Sequence, residues 1–307
     1  MTAPCDAVVL LAFGGPERPD DVRPFLRRVL AGRAVPEARL EEVAHHYDAL
    51  GGRSPLPAIT RRQAAALEPR LAARGLAVPV RVGFRHSAPT IAETLRELAA
   101  RGAMRVRAVI MAAHEGAASR GRYRDAAEAA CAELGAGAPR IAYTPSFHDH
   151  AGFVTANAEH VRAAERAIPE AERAASVLVF TAHSIPTRDA TPYVAGMEES
   201  ARLIAHALGR ASHRIAYQSR SGSPREPWLE PSIEQVIEEE AARGTRHLIA
   251  APIGFVCDHV EVLYDLDVEA AAVAKTRGIG FHRAATVGEH PAFIDALADG
   301  VLGPTTA

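Results

Sequence analysis

The chain has 307 residues, of which 48% are hydrophobic and 23% are charged, and its formal net charge is -2. This length can supply one large domain or two ordinary ones, each with a buried core. The near-neutral charge argues against an electrostatic nucleic-acid surface, so we expect a small-molecule partner and no nucleic acid.

The first half of the chain alternates predicted strands and helices. An apolar run at 7–12 closes on the letters F-G-G-P and predicts a buried strand, after which Phe13 faces the strand-end crevice. Helical spacing of apolar residues between Arg18 and Tyr47 leaves a basic face formed by Arg23, Arg27, Arg28 and Arg33. Further strands are predicted at 79–84, 106–111 and 141–144, and helices at 59–74, 90–101 and 122–134.

The second half repeats this rhythm. Strands are predicted at 177–181, 215–218, 248–252 and 279–282, with helices at 193–208, 232–242, 268–275 and 291–302. The alternation predicts an α/β protein of two doubly wound, Rossmann-like parallel-sheet domains facing a central cleft. We place the domains at 1–145 and 146–307, with the terminal helix packing back on the first domain.

Chemistry concentrates in the stretch 251–269, which reads A-P-I-G-F-V-C-D-H-V-E-V-L-Y-D-L-D-V-E. It turns polar after Phe255, at the carboxyl end of a predicted strand, where open parallel sheets bind their ligands. Glu261, Asp265 and Glu269 recur at four-residue spacing, which on a helix stacks three carboxylates without an interleaved basic residue. Spacing alone leaves both a cation-binding row and a solvated acidic face open.

Residues 252–267 of this stretch resemble the signature of the ferrochelatases, enzymes that insert ferrous iron into a porphyrin. A second segment at 177–186, V-L-V-F-T-A-H-S-I-P, is similar to the family's active-site strand and places His183 at its catalytic histidine. The resemblance extends from Leu10 to Leu302 and implies a chelatase-type fold and a lyase of haem biosynthesis, with porphyrin and ferrous iron as substrates. It implies that His183 and Glu261 are catalytic and bind the metal, and that Asp265 and Glu269 form a possible outer metal row.

The resemblance also implies substrate contacts. The loop at 47–56, Y-D-A-L-G-G-R-S-P-L, is similar to one that borders the porphyrin cleft in the family. The implied substrate-binding residues are Phe13, His46, Tyr47, Ser54 and Tyr123. Without the resemblance, Ser54 is simply a capping or turn residue before a proline. The segment 218–231, which contains the single tryptophan Trp228, resembles another segment of the family. We favour the interpretation that it is a rigid loop anchored by the Trp228 side chain.

Among the ferrochelatases, the chain looks closest to the soluble bacterial enzymes that use coproporphyrin III, which carries four propionates, rather than protoporphyrin IX, which carries two. His114 and Tyr123 match positions in that branch, and the arginines from Arg23 to Arg33 suit carboxylate binding. The sequence departs from that branch at three positions. Phe13 stands where some members have a tyrosine that can ligate iron, and Leu30 and His46 stand where some have arginines.

The sequence also yields expectations about location and cofactors. It has no run near the roughly 18 apolar residues of a membrane span and no secretory signal, so we expect a cytoplasmic protein without an integral membrane segment, acting as a monomer. Cys5, Cys131 and Cys257 are far apart, which predicts neither disulfides nor a closed zinc site. Since no cysteine follows Cys257, we expect no iron-sulfur cluster and no cofactor beyond the substrate iron.

Porphyrin metallation requires a base, and a neutral histidine with a pKa near 6.5 can accept a proton or ligate a metal. The sequence does not decide which of His183 and Glu261 is the base and which ligates the iron. For His259 we expect a hydrogen-bonding role rather than direct ligation. The alternatives are a cobalt chelatase of the same fold class, a non-enzymatic haem or porphyrin carrier, and a phosphate-binding α/β protein.

Overall fold

The computed structural model describes residues 5–31, 36–221 and 226–304, and the chain divides into two units. The first unit comprises residues 1–111, 120–145 and 297–307, and the second comprises residues 112–119 and 146–296. The segment 218–231, which contains Trp228, is called the tryptophan loop. Arg33 and residues 222–225 of that loop lie outside the described residues.

The first unit is built on a parallel sheet with the strand order β2-β1-β3-β4. Its central strand β1 is wholly buried because both of its faces are covered. The strands are β1 (Ala7–Ala12), β2 (Val80–Phe84), β3 (Arg105–Ile110) and β4 (Arg140–Tyr143). The helices are α1 (Val22–Val29), α2 (Glu37–Ala49), α3 (Leu56–Ala73), α4 (Ile91–Ala100) and α5 (Arg122–Leu134).

The second unit repeats this topology, with the parallel strand order β6-β5-β7-β8. Its strands are β5 (Val177–His183), β6 (Arg214–Gln218), β7 (His247–Ala251) and β8 (Gly280–Arg283). Its helices are α6 (Ala151–Glu165), α7 (Glu170–Arg173), α8 (Thr191–Ala207), α9 (Ile233–Ala242), α10 (Val260–Tyr264) and α11 (Ala271–Thr276). A π-helical segment, Asp265–Ala270, joins α10 to α11. The last helix, α12 (Pro291–Leu302), begins in the second unit and ends in the first.

Alternate residues of β5 enter different cores, which shows that both faces of the second sheet are covered. Leu178 and Phe180 pack with residues of α6 and α8, such as Val161 and Met197. Val179 packs in a separate core with residues of α9 and of the segment 260–276. The sheet is therefore doubly wound, and polar side chains are left to the strand ends.

These two parallel sheets confirm the predicted α/β class with two Rossmann-like folds. Each predicted strand is present, and the central strands β1, β3, β5 and β7 coincide with buried apolar runs. Two helical predictions need correction. The region 18–47 divides into a short 3-10 turn and the helices α1 and α2, and the helix predicted at 268–275 begins earlier, at Val260. Across the described ranges, no helix combines the length and apolarity needed to cross a membrane.

Candidate active site

The candidate site lies at a topological switch point of the second sheet. In a sheet of this order the strand connections reverse direction between β5 and β7, and ligands bind outside the carboxyl ends of the strands there. His183 is the last residue of β5, and Glu261 follows β7 in the first turn of α10. The fold therefore brings together the two residues predicted to be catalytic.

The His183 and Glu261 side chains are in direct proximity. The Nδ1 atom of His183 lies 3.2 Å from Oε2 of Glu261, and the side chains are 29% and 39% exposed. The His183 Nδ1 atom is itself buried and is not aligned for a hydrogen bond, so the exposed part of the ring is elsewhere. A ligand can thus reach both side chains, although the His183 Nδ1 atom between them is not accessible to solvent.

Electrostatic coupling favours a charged pair. Burial by itself would lower the pKa of His183, but the charge of Glu261 raises that pKa above its ordinary value. Burial by itself would raise the pKa of Glu261, but the charge of His183 and contacts with His183 and His259 lower that pKa well below its ordinary value. In the resting protein we therefore expect a protonated His183 beside an ionised Glu261.

Main-chain contacts fix the positions of both residues. The Tyr193 hydroxyl donates to the carbonyl of His183 over 3.2 Å, and the Gln218 side-chain amide donates to the carbonyl of Glu261 over 2.6 Å. The carbonyl of Gln218 also accepts from the N–H of Ser184 over 2.8 Å. Gln218 thus contacts the main chain at or beside both predicted catalytic residues. We did not single out Gln218 or Tyr193 from the sequence, although Gln218 opens the segment that resembles the family.

A close backbone approach places the loop that leads to Glu261. A Cβ atom at Gly254 would lie 2.5 Å from Cβ and 2.6 Å from Cα of Ala182, the neighbour of His183. The Gly254 N–H also donates to the carbonyl of Thr181 over 3.0 Å. Only a glycine lets this loop pack so tightly against the end of β5.

The His259 side chain lies beside the Glu261 carboxylate. Its Nε2 atom is 3.6 Å from Oε2 of Glu261, and its Nδ1 atom is 3.2 Å from the carbonyl oxygen of Cys257. A hydrogen bond from Nδ1 to that carbonyl would leave Nε2 directed at the carboxylate. Within the described part of the chain, no group of three or more His, Cys, Asp or Glu side chains is arranged to hold a metal ion.

The possible outer row is less regular than an α-helical face. Asp265 begins the π-helical segment, is 8% exposed and accepts a hydrogen bond from the Ser219 hydroxyl. Burial raises the pKa of Asp265 to about 7, and the charges of Glu261 and Glu269 add to the effect. The Ser219 backbone is left-handed, with φ of 62°. Glu269, the last carboxylate of the row, is exposed. The row therefore combines a partly exposed, a buried and an exposed carboxyl, and its metal-binding role stays a prediction.

The loop after β5 supports the active-site strand. The Ser184 hydroxyl donates to the carbonyl of Leu229 over 2.9 Å, and the Leu229 N–H donates to the carbonyl of Ile185 over 3.0 Å. Trp228 forms a bridge with Pro186 in the same short pairing. The tryptophan loop thus contacts the residues that directly follow His183.

Two of the substrate-binding residues predicted in the first unit, Phe13 and Tyr123, contact the same arginine near the ends of its strands. Phe13 follows β1, and its ring centroid is 4.7 Å from that of His86, which follows β2. The guanidinium of Arg85 lies over the rings of Phe13 and Tyr123 at 5.8 and 5.4 Å. This cluster groups two of the predicted contacts, and it contains aromatic and cationic side chains that suit a flat anionic ring.

The other predicted contacts are placed by local structure. Tyr47 is 5% exposed, and its ring contacts Phe25 with centroids 6.1 Å apart, while His46 is partly exposed on α2. The Ser54 hydroxyl accepts from the N–H of Leu56 over 3.3 Å at the start of α3, in agreement with the alternative interpretation as a turn residue. The burial of Tyr47 and Ser54 indicates that both contribute to packing.

The basic face of α1 is engaged within its own unit. Arg23 forms a bidentate pair with Glu41 at 2.9 and 2.6 Å, and Arg27 lies 3.6 Å from Glu37. Arg28 donates to the carbonyl of His86 over 2.9 Å. Acidic residues of α2 thus offset much of the positive charge that the sequence suggested for substrate carboxylates.

His114 belongs to the interior of the second unit. It is 1% exposed, and its Nε2 atom lies 3.0 Å from the Ser200 hydroxyl. Burial, with a contribution from His148, lowers the pKa of His114 to about 3. The residue is therefore neutral, and its position agrees with a structural role.

Comparison with known proteins identifies the family. Residues 5–303 match the family model described as Ferrochelatase. A protein from Rhodopirellula baltica described as Ferrochelatase is 41% identical over 96% of this chain and 84% of its own length. A Coproporphyrin III ferrochelatase from Nocardia farcinica is 41% identical over 94% of this chain and 85% of its own.

A solved structure adds evidence on the fold alone. SirB from Bacillus subtilis with Fe3+ matches with a TM-score of 0.59 and 14% identity, over 96% of this chain and 94% of that one. Since the family model covers nearly the whole chain, the predicted resemblance is confirmed. The chain belongs to the ferrochelatase family.

Proposed function

We propose that this chain inserts ferrous iron into coproporphyrin III in haem biosynthesis. The observation that carries the proposal is the pairing of His183 Nδ1 with Glu261 Oε2 at 3.2 Å, at the switch point of a ferrochelatase-family sheet. Support for the porphyrin comes from the Nocardia farcinica relative, whose description names coproporphyrin III. The cluster of Phe13, Arg85 and Tyr123 supplies a cation next to aromatic rings, as an anionic porphyrin requires.

The reaction exchanges two pyrrole protons for one ferrous ion, so the site must hold a cation and accept protons. An ionised Glu261 is suited to attract iron, whereas a protonated His183 cannot accept a proton until it has lost one. We assign the initial contact with iron to the Glu261 carboxylate. We assign proton acceptance to His183.

The coupling between the two residues suggests how these steps are ordered. The negative charge of Glu261 is the cause of the raised His183 pKa. Ferrous iron at the carboxylate would replace the histidine proton as the counterion, and the His183 pKa would return toward its ordinary value. The arrival of iron therefore releases a proton from the pair and leaves a neutral imidazole that can accept a proton from a pyrrole nitrogen.

The proposal is tested by anaerobic incubation of the protein with a porphyrin and a metal while the absorption spectrum is followed. We expect rapid spectral conversion with ferrous iron, and a higher kcat/KM for coproporphyrin III than for protoporphyrin IX. A clear preference for protoporphyrin IX without added lipid would contradict the choice of porphyrin. A preference for cobalt would favour a cobalt chelatase, and unchanged bound porphyrin would favour a carrier.

We also propose a cytoplasmic monomer that needs no resident cofactor. The statement about the cofactor is supported by the wide spacing of Cys5, Cys131 and Cys257 in the sequence. Iron and sulfide analysis of the active purified protein, light scattering and cell fractionation test these three statements separately. Stoichiometric labile sulfide, a dimer mass or recovery with membranes would contradict the corresponding statement.

A further inference from the structure

Arg283, the last residue of β8, binds two aspartates of the segment that carries Glu261. Its Nε atom lies 2.5 Å from Oδ1 of Asp267, and its Nη1 and Nη2 atoms each lie 3.3 Å from a carboxylate oxygen of Asp258. The Thr286 hydroxyl donates to the same Asp258 carboxylate over 2.9 Å. The Arg283 side chain is only 16% exposed, and the side chains of Asp258 and Asp267 are 25% and 39% exposed, so the charge-assisted contact with Asp258 is the better shielded of the two.

The two aspartates stand on either side of Glu261 along the chain. Asp258 lies before α10, and Asp267 lies within the π-helical segment after it. The stretch 258–269 contains five carboxylates and neither lysine nor arginine. Arg283 therefore brings a positive charge from another strand to carboxylates that flank Glu261 but lie outside the row at positions 261, 265 and 269.

We propose that Arg283 is a positioning residue for iron insertion, which holds Glu261 in place by binding Asp258 and Asp267 together. This inference rests on the proposed role of Glu261 in binding iron. Arg283 itself touches neither His183 nor Glu261 in the contacts described above. It acts through the backbone between its two partners.

Local structure alone cannot hold Glu261. The helix α10 has five residues and continues into a π-helical segment, and short helices and π turns depend on tertiary contacts. A shift of one residue in helical register would turn Asp267 by roughly a quarter of a turn around the axis and away from Arg283. The paired contacts therefore select the register in which Glu261 Oε2 lies beside His183 Nδ1.

The geometry requires an arginine. A guanidinium presents several N–H groups in a fixed plane, so one side chain can bind two carboxylates in different directions. A lysine carries the same charge as a compact point on a flexible stem, and it would not hold both aspartates in fixed directions. A lysine at position 283 would thus restore the positive charge but only part of the iron-insertion activity.

The test compares Arg283→Gln and Arg283→Lys in the full chain with Arg277→Gln as a matched control. Arg277 forms an exposed pair with Glu238 at 2.6 Å in the same unit. For Arg283→Gln we expect kcat/KM for ferrous iron to fall about 10- to 100-fold, the cost typical of losing a contact that orients a ligand. The KM for porphyrin should change less than about twofold, since Glu261 is assigned to the metal.

A second measurement does not require turnover. Amide hydrogen exchange across residues 258–270 should be about tenfold faster in Arg283→Gln than in Arg277→Gln, while β5 and β7 keep their protection. Arg283→Lys should lie between the glutamine variant and wild type in both measurements. Wild-type protein that inserts no iron would refute the proposed function, and the exchange data would still test the positioning role.

Three results would overturn the inference itself. An Arg283→Gln variant that matches Arg277→Gln in kinetics and exchange would show that the contacts are dispensable. Equal losses for iron and porphyrin, with faster exchange across the whole second sheet, would indicate general destabilisation. Full activity in Arg283→Lys would show that a positive charge suffices without the paired geometry.

Discussion

Replacing Asp265 with asparagine should stabilise the metal-free protein, and the gain should grow with pH. Asp265 is 8% exposed, and burial raises its pKa to about 7 from the ordinary value of 3.8. Asparagine has nearly the same shape, and its side-chain oxygen can still accept the hydrogen bond from Ser219. The substitution therefore replaces a buried ionisable group with a neutral one while keeping its hydrogen-bond partner.

The direction of this pH dependence follows from the different pKa values of the Asp265 carboxyl in the unfolded and folded protein. In the unfolded chain the Asp265 carboxyl ionises near pH 3.8, but in the folded protein it stays protonated until about pH 7. Its contribution to the free energy of unfolding is therefore fully present below pH 3.8 and is lost as pH rises through 7. A shift of about 3 pKa units corresponds to about 4 kcal/mol at most. Neighbouring groups relax when the carboxyl ionises, so we expect Asp265→Asn to gain about 2 kcal/mol between about pH 5 and about pH 8.

Urea unfolding followed by circular dichroism, with a chelator present at both pH values, measures this difference in free energy of unfolding. Glu170→Gln, an exposed carboxylate of α7 in the same unit, is the control and should show little change. A gain of the same size at both pH values would refute the reasoning. It would mean that ionisation of Asp265 carries no special cost in the folded protein.

Three further predictions concern turnover and packing. His183→Ala should lower kcat for iron insertion by at least about 100-fold, the usual worth of an acid–base group, without unfolding the protein, because the side chain is 29% exposed. Near-normal turnover in a folded variant would remove His183 from the mechanism. Glu261→Gln should lower turnover severely, whereas Glu269→Gln should mainly raise the KM for iron. Small and equal effects of the two substitutions would favour a solvated acidic face. Gly254→Ala, whose methyl would lie 2.6 Å from a backbone Cα of β5, should cost about 1 to 3 kcal/mol in urea unfolding, unlike Gly137→Ala, which meets nothing within 4 Å. Equal stability of these two glycine variants would contradict the close approach.

The central strands were predictable because each is a short, largely apolar run that ends in polar or turn residues. The run at 7–12 forms β1 with the predicted bounds, since a central parallel strand must be apolar on both faces. The π-helical segment at Asp265–Ala270 was not predictable, because a four-residue spacing fits an ordinary helix equally well. Within this segment Asp267 contacts Arg283 of another strand, and no local pattern in the sequence indicates such a contact.

The site was predictable to the level of residue types at strand ends. The positions of His183 and Glu261 after neighbouring strands imply proximity, because carboxyl ends of parallel strands meet at one edge of a sheet. The contact of Gln218 with the Glu261 carbonyl was not predictable, since nothing in the sequence specifies which amide reaches which carbonyl. Likewise, the sequence showed the arginines of α1 but not their pairing with Glu41 and Glu37.

The two ends of α12 carry a consequence for synthesis of the chain on the ribosome. Phe293 packs against Phe153 in the second unit, whereas Asp299 pairs with Arg74 over 2.6 Å in the first. Arg107 of β3 also donates to the carbonyl of Gly303 over 2.7 Å. Although domains generally fold in order of their emergence during translation, the amino-terminal unit here lacks the contacts made by Asp299 and Gly303 until these residues have left the exit tunnel. The first unit to be synthesised is therefore completed last, and a nascent chain stalled near residue 296 would leave the buried guanidinium of Arg107 without the Gly303 carbonyl as its partner.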